Sequence, residues 1–107
     1  MHRMAIGRFG YERHQVREVN DGLQALTALK AQSYDLVLCD IYLPSMDGLD
    51  IMRELRAWEA EEGKPRQVVH CITAADTLTL DEIQSHGFDR VLRKPVSVKK
   101  IGALLSE

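Results

Sequence analysis

The 107-residue chain carries 14 Lys and Arg against 16 Asp and Glu, with 45% hydrophobic residues. That balance suits one globular domain burying roughly 65% of its unfolded surface, and it excludes a disordered or fibrous chain and a basic nucleic-acid or polybasic membrane surface. Two Cys form no disulfide framework, no apolar run reaches the ~20 residues of a membrane helix, and no signal-like stretch follows Met1, so a cytoplasmic setting without nucleic-acid or membrane partners is expected.

Met4, Ala5 and Phe9 have helical spacing, but Gly7 and Gly10 each weaken a helix by roughly 1 kcal/mol. Gln15 to Val19 reads as a short strand. Asp21-Gly22 then breaks the chain, and Leu23, Ala25, Leu26, Ala28 and Leu29 form one apolar helix face ending near Gln32. Asp35-Leu-Val-Leu-Cys-Asp40 is a continuous apolar run closed by an acid, the pattern of a strand buried on both faces of a parallel sheet.

A loop with Pro44 follows, from Ile41 to Gly48. Ile51, Met52, Leu55 and Trp58 then stripe a second helix that Gly63 and Pro65 stop. The charge run Glu59 to Glu62 reads as a solvated helix end. Gln67 to Thr73 is another buried strand. Leu80 and Ile83 mark a short helix, with Asp76 as candidate N-cap and Gly87 as its stop. Phe88 to Leu92 reads as a last strand, and Ser97 caps a closing helix with Val98, Ile101, Leu104 and Leu105 inward. Strands alternating with helices imply βαβ units and a parallel sheet.

Ligands of open parallel sheets bind at the carboxyl ends of strands, and three polar residues stand where these strands end: Asp40, Thr73 and Lys94. A carboxylate can attack phosphorus and form an aspartyl phosphate. The phosphoryl oxygens then need a cation, a hydroxyl or amide donor and usually Mg²⁺. Cys39, Cys71 and His70 lie on the same strands and read as buried core residues, and Trp58 as core or rim.

The segment Asp35 to Gly48, D-L-V-L-C-D-I-Y-L-P-S-M-D-G, resembles the phosphoacceptor segment of two-component receiver domains. Thr73-Ala74, the run Gly87 to Pro95 with its Lys-Pro step, and Asn20-Asp21-Gly22 with Ala25-Leu26 resemble further motifs of that family. The likeness spans nearly the whole chain and is nearest to receivers of hybrid sensor histidine kinases. It implies a flavodoxin-like doubly wound sheet and a signalling module rather than an enzyme. It implies Asp40 as phosphoacceptor, Thr73, the Ala74 amide and Lys94 as phosphate ligands, and Asp40 with the Tyr42 carbonyl on Mg²⁺. The implied partner is a histidine kinase or a histidine phosphotransfer protein.

The family opens with an apolar central strand ending in two acids that hold Mg²⁺. Here Met1 to Ile6 lines up with the family's first helix, so residues 1–107 read as an N-terminally incomplete receiver without that strand and acid pair. The strands on either side would then each expose an edge. The gap must be closed by their direct pairing, by the N-terminal residues acting as a strand, or by a second chain. A four-stranded or rearranged sheet is expected, prone to dimerise, with weak Mg²⁺ binding and impaired phosphorylation. The alternative is a pseudo-receiver that is not phosphorylated and acts as an interaction module. Glu12 and Glu18 read as solvated charges rather than replacement ligands. Val91 stands where the family carries a switch aromatic. Haloacid-dehalogenase-type phosphatases also use a strand-end Asp, Thr and Lys, but they want a second acid where Tyr42 stands.

Overall fold

The structure, a computed structural model, describes residues 3–7, 16–74 and 76–105. Five parallel strands form one sheet: β1 (Arg3–Ile6), β2 (Arg17–Val19), β3 (Leu36–Cys39), β4 (Val69–Thr73) and β5 (Arg90–Arg93). Their order is β2-β1-β3-β4-β5, the flavodoxin-like doubly wound order. The helices are α1 (Gly22–Ala31), α2 (Gly48–Glu62), α3 (Leu80–Gln84) and α4 (Val98–Leu105).

The expected fold class holds, and the expected gap in its centre is closed in one of the three ways considered, by the N-terminal residues acting as a strand. Residues 3–6 are strand rather than first helix, and they complete the middle of the sheet. β1 pairs with β2 at Met4↔Arg17 and with β3 at Met4↔Val37. Past the strand end, the Gly7 N–H donates to the Val19 carbonyl (2.8 Å) and the Asp40 N–H to the Ile6 carbonyl (2.9 Å). Backbone groups left open inside a sheet cost about 1–3 kcal/mol each, and β1 satisfies both neighbours at once. The sheet is therefore five-stranded, and the two edges on which dimerisation was expected are both joined to β1. Met4, Ala5 and Ile6 are fully buried. Three consecutive buried apolar residues, Met4 to Ile6, carry no periodicity that separates strand from helix, which is why the sequence pattern misleads here.

Side-chain alternation divides the core into two layers. Val37 and Cys39 of β3 face α1, α2 and α3 with Met4, Ile6, Leu26, Ile51, Leu55 and Ile83. Leu36 and Leu38 face the other way, with Ile72 and with Ile101 and Leu104 of α4. Helix ends follow local chemistry. Asp21 caps α1, Asp47 caps α2, and Gly63 ends α2 in the left-handed conformation at φ 62°. The Ser97 hydroxyl accepts from the Lys100 N–H at 3.0 Å and caps α4, as expected. The cap of α3 is Thr79, not Asp76: its hydroxyl accepts from the Glu82 N–H while the Glu82 carboxylate accepts from the Thr79 N–H, a reciprocal capping box.

Leu23 of the expected apolar face of α1 is 56% exposed, and Gly22 is buried in the helix's first turn instead. The charge run at the end of α2 is also not all solvated. Glu59 is buried and accepts from Arg56 Nη1 (2.8 Å) and the Gln67 N–H (2.7 Å). Trp58 packs part-buried against the core. Among the described residues, no helix is long and apolar enough to cross a membrane.

Candidate functional site

The carboxyl ends of the central strands converge on Asp40, which follows β3 directly. Its Oδ2 accepts from Lys94 Nζ at 2.8 Å, and its Oδ1 accepts from the Ile41 N–H at 2.7 Å. The Asp40 side chain is 14% exposed and that of Lys94 33%, so this ion pair is largely shielded yet open at the cleft. Lys94 arrives there because β5 lies beside β4, and its N–H donates to the Thr73 carbonyl at 2.8 Å. Two residues 54 positions apart thus meet through three adjacent strands. A carboxylate facing an ammonium at strand ends can present a nucleophilic oxygen and hold an incoming anion.

A cleft of about 350 Å³ opens over the pair, lined by Gly7, Asn20, Asp40, Tyr42, Leu43, Pro44 and Lys94. Thr73 is fully buried at the end of β4, and Ala74 after it is exposed. The structure brings Asp40, Lys94 and Tyr42 to the cleft lining, and the Lys94 N–H ties the adjacent Thr73 carbonyl to the same strand ends. Gly7 and Asn20 line the cleft without having been picked out as site residues. No pattern within β1 or β2 marks them; only the order of the strands brings them beside Asp40.

The loop from Ile41 to Asp47 is tied down at several points. The Gly48 N–H donates to the Ile41 carbonyl at 2.7 Å, and the Gly22 N–H donates to the Pro44 carbonyl at 3.0 Å. Ser45 takes a left-handed conformation at φ 70°, unusual for a residue with a side chain, and donates its hydroxyl to Asp21 Oδ2 at 2.6 Å. That hydroxyl, then the Gln24 N–H, holds the Asp21 carboxyl below the usual carboxylate range. A Cβ on Gly22 would lie 1.8 Å from the Met46 carbonyl oxygen, so only glycine admits this approach of helix and loop.

Cys39 and Cys71 face each other in register on β3 and β4, both fully buried and both free. Burial, with the neighbouring Cys71 and Asp40, pushes the Cys39 thiol well up. Burial first, then Asp40, pushes Cys71 up to about 12 against a partial offset from Lys94. Both are neutral core thiols, as is consistent with their apolar neighbours. His70 is buried on β4. Glu18 lies exposed on β2 and accepts from Asn20 Nδ2 at 3.3 Å, and Glu12 lies outside the described residues. Val91 packs part-buried against the core where an aromatic was expected of the family.

Residues 3–106 match the family described as the response regulator receiver domain. The chain belongs to that family. This receiver is 42% identical over 86 residues to the aerobic respiration control sensor protein ArcB of Escherichia coli, covering 80% of this chain and 11% of that protein. It spans about a tenth of the length of the curated sensor kinases it matches. Among solved structures it is similar to the receiver domain of sensor histidine kinase PA1611 from Pseudomonas aeruginosa PAO1, which has a magnesium ion coordinated in its active-site cleft. That match has a TM-score of 0.75 and 26% identity, covering 98% of this chain and 93% of that one. The fold also matches the Saccharomyces cerevisiae Ssk1 receiver, solved with the histidine phosphotransfer protein Ypd1, at a TM-score of 0.75 and 16% identity over 94% and 83% of the two chains. The receiver is thus a two-component signalling domain related to those of hybrid kinases.

The family's magnesium chemistry asks for carboxylates beside the phosphoacceptor, and the described residues of this receiver do not fit that demand. β1 is present, but it ends at Ile6 and the sequence continues Gly7-Arg8, with no acid pair. Among the described residues, no group of three His, Cys, Asp or Glu side chains is gathered that could hold a metal. Asp40 and the Tyr42 carbonyl make a thin set for an ion that wants octahedral oxygen ligands.

Proposed function

We propose that this receiver accepts a phosphoryl group on Asp40 from the phosphohistidine of a histidine kinase or histidine phosphotransfer protein. The observation that carries the reading is the 2.8 Å contact of Lys94 Nζ with Asp40 Oδ2 at the mouth of an open cleft. In the transfer, an Asp40 oxygen attacks phosphorus and the phosphorus–nitrogen bond breaks. The electron pair leaves with the imidazole, which keeps or gains a proton from solvent. Lys94 passes from the carboxylate to a phosphoryl oxygen as the negative charge moves outward. The hydroxyl of Thr73 and the amide of Ala74 serve as the remaining phosphate donors. The kinship with hybrid kinase receivers and the partner of the Ssk1 receiver both support a phosphotransfer protein as donor.

Transfer is slow in this reading, because no carboxylate pair holds a metal. Every 1.36 kcal/mol of lost transition-state stabilisation costs about tenfold, so a loss of several kcal/mol slows transfer about a thousandfold. The test is label transfer from a radiophosphorylated histidine phosphotransfer domain. Slow labelling that is labile to hydroxylamine and absent in Asp40→Asn supports the reading. Binding of that donor with no label on prolonged incubation overturns it in favour of a pseudo-receiver, an interaction module that the missing acid pair also favours.

A further inference from the structure

We infer that the backbone at Gly7, and not merely the loss of two side chains, closes this cleft to divalent metal. It follows, resting on Asp40 as phosphoacceptor, that phosphoryl chemistry here runs with Lys94 as countercharge and without a divalent ion.

Three observations converge. Gly7 directly follows β1, beside Asp40, at φ 108°, a conformation that residues with side chains rarely adopt. A Cβ placed there would lie 2.9 Å from Asp40 Cβ, the root of a side chain that cannot swing aside. The Gly7 N–H is also committed to the Val19 carbonyl, so the turn is held by the ladder between β1 and β2. A carboxylate at this position therefore requires the end of the central strand to move.

Charge points the same way. Of the described residues lining the cleft, only Asp40 and Lys94 are charged, and they pair at 2.8 Å. A divalent cation entering beside Asp40 meets an ammonium already seated on that carboxylate and finds no second carboxylate among the described lining. The incoming phosphoryl group brings its own negative charge to the same ammonium, which makes the site selective for the anion.

The experiment uses the ¹⁵N-labelled 107-residue chain with two probes. Millimolar Mn²⁺, a paramagnetic stand-in for Mg²⁺, is added while backbone amides are followed by NMR. Acetyl phosphate is then added in EDTA and in excess Mg²⁺, and the mass shift is read. The expected result is no selective broadening at Gly7, Asn20, Asp40 or Tyr42, with modification rates equal within about twofold in the two buffers. Selective broadening there, or a rate at least tenfold higher with Mg²⁺, overturns the inference and leaves Asp40 as phosphoacceptor intact. Absence of both broadening and modification upholds the metal exclusion and overturns the phosphoacceptor reading instead. Gly7→Ala, which adds only the Cβ, is expected to lower the urea midpoint. A variant as stable as the parent removes the steric argument, as does a folded Gly7→Asp that gains Mn²⁺ broadening at the cleft.

Discussion

Replacing Arg56 by Met tests the polar knot at the amino-terminal end of the sheet. Arg56 on α2 sends Nε and Nη2 to the Gly87 carbonyl (3.0 and 2.8 Å) and Nη1 to the Gln67 carbonyl (2.9 Å) and Glu59 Oε1 (2.8 Å). Nη2 also reaches Asp89 Oδ2 at 3.3 Å. The Arg56 side chain is 16% exposed and that of Glu59 8%, so solvent screens their pairing little. Removing one partner of a buried ion pair costs about 3–5 kcal/mol, because the other charge is left without compensation. Two contacts soften the loss here. Glu59 keeps the Gln67 N–H, and the Gly87 carbonyl keeps Arg66 Nη2 at 3.1 Å. The expected destabilisation is therefore about 2–4 kcal/mol, since Met preserves the aliphatic stem and removes only the fork. Urea unfolding is the assay, with an unchanged slope and a midpoint lowered by about 1–4 M for a slope of about 1–2 kcal/mol/M. Arg56→Lys should recover part of the loss, because one ammonium cannot serve four acceptors laid out for a planar fork. Glu59→Gln combined with Arg56→Met should cost at least ~0.5 kcal/mol less than the sum of the two. Additive effects, or an Arg56→Met variant within about 0.5 kcal/mol of the parent, would refute the reasoning.

Gly22→Ala is expected to cost more than Gly63→Ala in the same unfolding assay. The first drives a Cβ into the Met46 carbonyl, while the second meets open space and loses only the left-handed preference, about 1 kcal/mol; equal costs would remove the steric argument. Thr79→Ala should lose about 1 kcal/mol through the capping box of α3, and Asp76→Ala close to nothing, which circular dichroism melts can compare. Stability should fall as pH rises from about 9 towards about 12. In that range an unfolded chain ionises Cys71 while the folded one keeps it protonated, so the unfolded state binds fewer protons. The slope is at most about 1.4 kcal/mol per pH unit for each such thiol, and Cys71→Ala should flatten it. On the acid side, Asp21 is held below its usual range. The stability it adds is present above the unfolded value and is lost as pH falls through the folded one. Ser45→Ala should weaken that acid-limb dependence in pH-dependent unfolding.

The parallel sheet, the two-sided burial of β3 and β4 and the placing of Asp40, Thr73 and Lys94 at strand ends were legible in the sequence, while the doubly wound order came only with the resemblance to receiver domains. Continuous apolar runs closed by polar residues have few other homes in a chain whose strands alternate with helices. The helix ends set by Asp21, Gly63 and Ser97 were legible for the same reason, since capping depends on a few adjacent residues. What the sequence misjudged depends on partners far along the chain. Arg3 to Ile6 is a strand because β2 and β3 offer it two ladders, not because of any preference in its own residues. Glu59 reads as a solvated charge until Arg56 and the Gln67 N–H are seen to close on it. Thr73 and Lys94 stand alike at strand ends, yet Thr73 is fully buried while Lys94, partly exposed, reaches the Asp40 carboxylate at the cleft. Burial and pairing are properties of the packed sheet, and local residue type reports them only where one neighbour in sequence is enough to decide them.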